Sequence, residues 1–196
     1  MANLSPIDPA LTAVLSMDLQ TAIVSIYTKD QPDLLPRAAG VLKKARDLGL
    51  SVLHVQVGFR RGLPEISPRN SLFSSIKNSV QHRQVFEGPG GAIHSAVTPQ
   101  GDDIVITKHR ISAFAGTDLD MILRAKEIET LILFGIATSG VVLATLLDAV
   151  DADYRLVVVK DCCADADPEV HRSLIEKVFP RLASVLTAGE LIDAMG

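Results

Sequence analysis

The chain has 196 residues, enough for one domain whose core needs neither metal nor disulfide support. A net charge of −4 without a basic stripe argues against nucleic acid as a partner, and the apolar stretches are too short and too interrupted by charge to span a membrane. Hydrophobic residues make up 47% of the sequence, with no Trp and few aromatics, so Leu, Val, Ile and Ala must fill a core of strands buried on both faces.

The N-terminus lacks Lys or Arg, and its apolar piece LTAVLSM runs directly into Asp18, a poor signal peptide. The only cysteines are the neighbours Cys162 and Cys163. Adjacent cysteines rarely bridge each other, so a reducing, cytoplasmic setting is expected.

In chain order, AVLSM at 13–17 is the first predicted strand, and a helix follows over 34–48 with Gly49 at its C-terminal cap. LSVLHVQV at 50–57 is the second strand and DDIVITKH at 102–109 the third. Thr117, with Asp120 three residues on, opens a helix through an imperfect capping box. TLILFG at 130–135 is the fourth strand, a helix covers 141–152, and YRLVVVK at 154–160 is the fifth strand. Asp167 and Pro168 read as N-cap and first residue of a helix ending near Phe179, before a short strand at 183–187 and a terminal helix. This alternation predicts a doubly wound α/β fold over 1–196, with a six-stranded, mainly parallel sheet and helices on both faces. The segment from Gly58 to Gly101 is long, rich in Gly, Pro, Ser and Arg, and weakly periodic. It reads either as a lid or interface arm, or as a surface excursion with one irregular helix near 70–78.

In an open parallel sheet, ligands bind beyond the carboxyl ends of the strands. Asp18 ends strand one, Gln56 lies near the end of strand two, and Lys108 and His109 end strand three. GIATSG follows strand four, and Asp161, Cys162 and Cys163 follow strand five. A carboxylate and an ammonium that each follow an apolar run lower one another's burial cost if they meet. Such a pair serves either a catalytic site or a purely structural ion pair, or Asp18 caps the next turn. The small residues of GIATSG allow close backbone approach, and helix-start amides favour anions, as would any tight strand-to-helix turn.

The order LSMDLQ, ITKHRISAFAGTDLD, LILFGIATSGVVLATLLDA and DADYRLVVVKDCCADADPEVH resembles the isochorismatase-like, or cysteine hydrolase, superfamily over nearly the whole chain. The resemblance implies a catalytic triad of Asp, Lys and Cys, with the Asp on Asp18 and the Lys on Lys108. The family's cysteine lies in a pattern like GxxTxxCVxxT. Here the segment reads GIATSGVVLAT and puts Val141 at that position. Valine cannot attack an acyl carbon. The resemblance also implies a cis peptide before Ala137 and an oxyanion hole from the backbone amides of Ala137 and Val141, which a valine need not remove. Members that cleave the vinyl ether of isochorismate manage without the thiol, the aspartate protonating the enol-ether carbon before water adds. Lys108 should pull the Asp18 pKa down, against such a role.

The metal-binding branch of the family uses an Asp and two His after strand two. HVQVGFRRGLPEISPRN lacks that set, so no metal and no cofactor are expected. His54 reads as a satisfied histidine of the strand, and the next histidine is His82. Substrate-binding candidates are Gln56, Phe59, Arg60, Phe114, Ile136 and Thr138, with Arg61, Arg69 and Phe73 as further loop residues that either face a pocket or serve solvent and core. Asp161 reads as a turn residue or hydrogen-bond partner, and His171 as surface or interface.

Three functions compete. One is a thiol-independent hydrolase of a small, anionic metabolite, with Asp18 as general acid/base and Lys108 as its electrostatic partner. The second is a non-catalytic ligand-binding or scaffold protein, suggested by Val141. The third is a thiol hydrolase using Cys162 or Cys163. A homo-oligomer is implied by the resemblance.

Overall fold

The computed structural model describes residues 6–80, 83 and 89–196. Six aliphatic runs form strands: β1 (Thr12–Met17), β2 (Ser51–Val57), β3 (Ile104–Lys108), β4 (Thr130–Gly135), β5 (Arg155–Val159) and β6 (Ser184–Leu186). They pair in the order β3-β2-β1-β4-β5-β6, and every pairing is parallel. The order reverses direction between β1 and β4, which leaves a crevice beyond their carboxyl ends. All six residues of β1 are buried, as a central strand covered on both faces requires.

The helices bury the stripes that their periodicity marks out. Helix α2 (Leu34–Asp47) buries Leu34, Ala38, Val41, Leu42 and Ala45, packs on β1 and β2, and meets α7 (Ala188–Ala194). Gly49, at φ +78°, takes the left-handed cap position just past α2. Helix α3 (Ser71–Asn78) starts where Asn70 accepts the Phe73 amide, and α6 (Pro168–Ser173) where Asp167 accepts the Glu169 and Val170 amides. Helix α6 runs on through a widened turn, Leu174–Val178, to a 3-10 turn at Phe179–Arg181. Helix α4 (Leu119–Ala125) departs from the expected capping box. Thr117 Oγ1 does accept the Leu119 amide, but Asp120 turns outward to pair with Arg124 at 2.9 Å. The segment after β4 is a widened turn, Thr138–Val142, ahead of α5 (Leu143–Asp151).

One helix has no counterpart in the sequence reading: α1 (Thr21–Tyr27), directly after Asp18. Its TAIVSIY sequence is β-branched and lacks a side-chain cap, so local signals do not point to a helix. Its start is pinned from a distance. The buried Gln20 carboxamide accepts the Val57 amide at 2.8 Å and donates to the Val57 carbonyl at 2.9 Å, while the Thr21 amide donates to Ala92.

The segment 58–101 is partly structured and closes back on the domain. Val57, Leu63, Ile66 and Phe73 form a small core of their own, with Phe59 edge-on to Phe73 at 5.7 Å between ring centres. The chain returns past Gln20, where Ile93 makes an isolated antiparallel bridge.

Gly135 shows why β4 must end in glycine. Its φ is +149°, and an added Cβ would lie 2.0 Å from the Met17 carbonyl oxygen, which accepts the Ile136 amide. This close crossing of β1 and β4 sets up the floor of the crevice.

Candidate active site

Asp18 sits one residue beyond β1 with φ +54°, a left-handed conformation that aspartate tolerates better than most residues. Its amide donates to the Val55 carbonyl at 2.8 Å, which fixes the backbone at the end of the sheet. Lys108, the last residue of β3, reaches across β2 to it. Lys108 Nζ lies 2.8 Å from Asp18 Oδ2 and donates to the Arg110 carbonyl at 3.1 Å. Both groups are almost wholly buried, at 5% and 3% exposure. Asp18 Oδ1 is also buried and has no hydrogen-bond partner among the described residues.

Burial pushes the Asp18 carboxyl above the usual carboxylate range, and Lys108 offsets this only in part. The lowering by Lys108 expected from the sequence is present, but it is the smaller effect. Desolvation wins because the pair lies inside the molecule.

The pair stands at the floor of a cavity of about 460 Å³ at the carboxyl ends of the strands. Ile136, Ala137, Gly140 and Val141 supply one wall, and the Ile136–Ala137 peptide is cis. Helix α1 adds Ile23 and Tyr27, α3 adds Leu72, Phe73 and Ile76, and the loop after β5 adds Asp165. Val141 is 3% exposed and lines the same cavity as the charged pair.

The structure therefore brings Asp18, Phe73, Lys108, Ile136, Ala137 and Val141 together. It places the other binding candidates elsewhere. Gln56 donates to Thr107 Oγ1 at 3.1 Å and shares a separate recess with Phe59, Arg60 and His109. Phe59 packs on Phe73, and Arg60 is an exposed residue whose guanidinium pairs with Glu65 at 2.7 Å. Arg61 and Arg69 are exposed. Phe114 stacks on Tyr154 at 6.2 Å, against the main core. Thr138 is buried behind the cavity wall, donates to the Ala164 carbonyl at 3.1 Å, and lies 2.8 Å from His171 Nδ1. His171, read from the sequence as surface or interface, is half-buried and meets the turn after β4 through Thr138. Sequence reading missed Tyr27, Ser139 and Asp165. Tyr27 belongs to the helix it did not foresee, and Asp165 stood in the DCCADADP segment as an ordinary cap-rich turn.

The cysteines lie away from the cavity. Cys162 and Cys163 are fully buried and neither lines the cavity. Burial pushes both thiols up, Cys163 to about 12, and Cys163 donates to the Val159 carbonyl. Both features speak against the thiol-hydrolase alternative. Asp161 accepts the Ala188 amide at 2.7 Å and pairs with Arg37.

His54 is buried within β2 and lies 3.0 Å from Asp103, which Arg46 also holds at 2.6 Å, away from the cavity. No group of three His, Cys, Asp or Glu able to hold a metal occurs among the described residues. His82 lies outside the described residues. The anionic substrate expected from the sequence meets no unpaired cation in the described lining, since Lys108 is already held by Asp18.

The profile described as the isochorismatase domain matches residues 12–190. The chain belongs to the isochorismatase family. It is a hydrolase of that family. It is 30% identical to maleamate amidohydrolase of Pseudomonas putida over 87% of this chain and 78% of that protein. Among solved structures, a cysteine hydrolase from Pseudomonas syringae pv. phaseolicola has a TM-score of 0.86 at 24% identity, covering 100% of this chain and 98% of the other. N-carbamoylsarcosine amidase from Thermoplasma acidophilum has a TM-score of 0.74 at 26% identity, covering 90% of this chain and 96% of the other. No helix among the described residues is long and apolar enough to cross a membrane.

Proposed function

We propose that the protein hydrolyses a small amide-type metabolite by direct attack of water, with Asp18 as general base and then general acid. The observation that carries this reading is the buried 2.8 Å Asp18–Lys108 pair on a cavity that Val141 also lines. Asp18 takes a proton from water as the water oxygen bonds to the carbonyl carbon. The carbonyl electrons move to oxygen, where the amides of Ala137 and Val141 receive the charge. The C–N bond then breaks as Asp18 returns the proton to nitrogen, releasing a carboxylic acid and ammonia. Lys108 orients Asp18 and stabilises its ionised form, while burial keeps the carboxyl basic enough to accept the proton. That relatives of this fold are amidohydrolases supports the bond type.

The same reading takes 1–196 as one domain with the segment 58–101 as its lid. It needs no metal or cofactor. The two free buried thiols support a cytoplasmic setting, and the exposed side chains of Ile26, Leu72 and Met121 support a homo-oligomer.

The test is ammonia release from a panel of primary amides and carbamoyl compounds, before and after treatment with iodoacetamide. Release that survives alkylation is expected. No release from any compound, or loss of release together with a mass shift on Cys162 or Cys163, overturns the proposal.

Val141 also favours a second reading, a ligand-binding protein that has lost turnover. Its signature is saturable binding of amides without ammonia release. Val141→Cys separates the two further. A thiol placed in the same cavity as the Asp18–Lys108 pair is expected to raise amidase activity by at least about tenfold and to make it alkylation-sensitive. An inactive, folded Val141→Cys variant would show that the surrounding groups are not poised for acyl transfer.

A further inference from the structure

The wall of the cavity facing solvent carries a second carboxylate. Asp165, in the loop between β5 and α6, lines the cavity together with Tyr27 and Ser139. Its Oδ2 accepts the Ser139 amide at 2.7 Å, and its Oδ1 accepts the Asp167 amide at 3.4 Å. Two backbone donors thus hold the carboxylate on the turn that follows the cis peptide. No Lys, Arg or His forms a salt bridge with it among the described residues. Tyr27 registers its presence: burial raises the phenol pKa, and the charge of Asp165 raises it further. The Tyr27 hydroxyl therefore stays protonated as a donor.

The described cavity lining contains three charged side chains, Asp18, Lys108 and Asp165. The first two neutralise each other at 2.8 Å, so the field a substrate meets is that of one anchored carboxylate. A substrate with a carboxylate at its far end would bring like charge to Asp165 within apolar walls formed by Ile23, Leu72 and Ile76. An ammonium or other N–H-bearing group would instead gain a charge-assisted hydrogen bond. Specificity of this kind arises as much from rejecting the wrong charge as from binding the right one.

We infer that Asp165 is a specificity-determining residue that selects amides whose remote end carries a cationic or N–H-donating nitrogen and rejects those ending in a carboxylate. This rests on the hydrolase reading for the reacting end of the substrate, and on the cavity alone for the remote end.

Three amides of matched length test it: 4-aminobutanamide, butanamide and succinamate. Calorimetric binding to the wild-type protein is measured first, so that the answer does not depend on turnover. The expected order of affinity is cationic, then neutral, then anionic, with at least about tenfold between the extremes. Asp165→Asn, which keeps an acceptor for the Ser139 amide, is expected to collapse the preference for 4-aminobutanamide over butanamide to near unity. Succinamate binding as tightly as 4-aminobutanamide, no measurable binding of any of the three, or an unchanged order in Asp165→Asn overturns the inference. Ammonia release is then followed with the same compounds. Binding in the expected order without release removes the hydrolase reading and leaves this inference standing, whereas release with succinamate preferred does the reverse.

Discussion

Asp18→Asn is expected to lower kcat/KM for any amide the protein hydrolyses by about 10²–10⁴-fold, the usual worth of a positioned acid–base group. Asparagine keeps the shape and an acceptor for Lys108 Nζ but cannot take or return a proton. The pH profile makes the test specific. The base must be ionised, and burial holds the Asp18 carboxyl above its ordinary value of 3.8. Activity should therefore be present at neutral pH and fall as pH drops through that raised value, so that the acid limb lies above 3.8. The residual activity of Asp18→Asn should lack this limb. A variant with wild-type kcat/KM, or a wild-type limb unchanged by the substitution, would remove Asp18 from the chemistry. A structural ion pair alone predicts lost stability without a change in the pH profile.

Lys108→Met should cost about 3–5 kcal/mol of folding stability at neutral pH, because it strands the Asp18 carboxylate inside the protein. Lys108 is 3% exposed and Asp18 5%, so water cannot take over the role of the ammonium. Without Lys108 the folded-state pKa of Asp18 rises further above its unfolded value. An acid whose folded pKa is raised loses stability as pH climbs from the unfolded pKa to the folded one, and the penalty is constant above that. The deficit of the variant should consequently be smaller near pH 4 than near pH 8. Urea unfolding at both pH values measures it. Adding Asp18→Asn to Lys108→Met should recover much of the loss, since the stranded charge is gone. Equal stability of Lys108→Met and wild type would mean that the two charges are not a buried pair.

The strands and the long helices were legible because each rests on local pattern. Helix α2 carries apolar residues at helical spacing with Gly49 behind it, and Asp167-Pro168 marks the start of α6 by cap chemistry alone. Helix α1 escaped because its start depends on the Gln20 carboxamide gripping Val57, a partner 37 residues away. The binding candidate Gln56 was drawn from the end of β2, and Phe59 and Arg60 from the segment after it. In the fold that segment turns Phe59 into its own small core and Arg60 toward Glu65.

The sequence by itself determined the order of the strands along the chain, the α/β class and the family resemblance, and it marked Asp18 and Lys108 at strand ends and Val141 in the turn after β4. It did so because period, caps and motif order are properties of neighbouring residues along the chain. Only the tertiary structure decided the sign of the Asp18 pKa shift, the exclusion of both thiols from the cavity and the arrival of Asp165 at its wall. Each of those depends on what surrounds a group in space. Desolvation and Coulomb interaction act through distances of a few ångströms, and residues far apart in the chain set those distances.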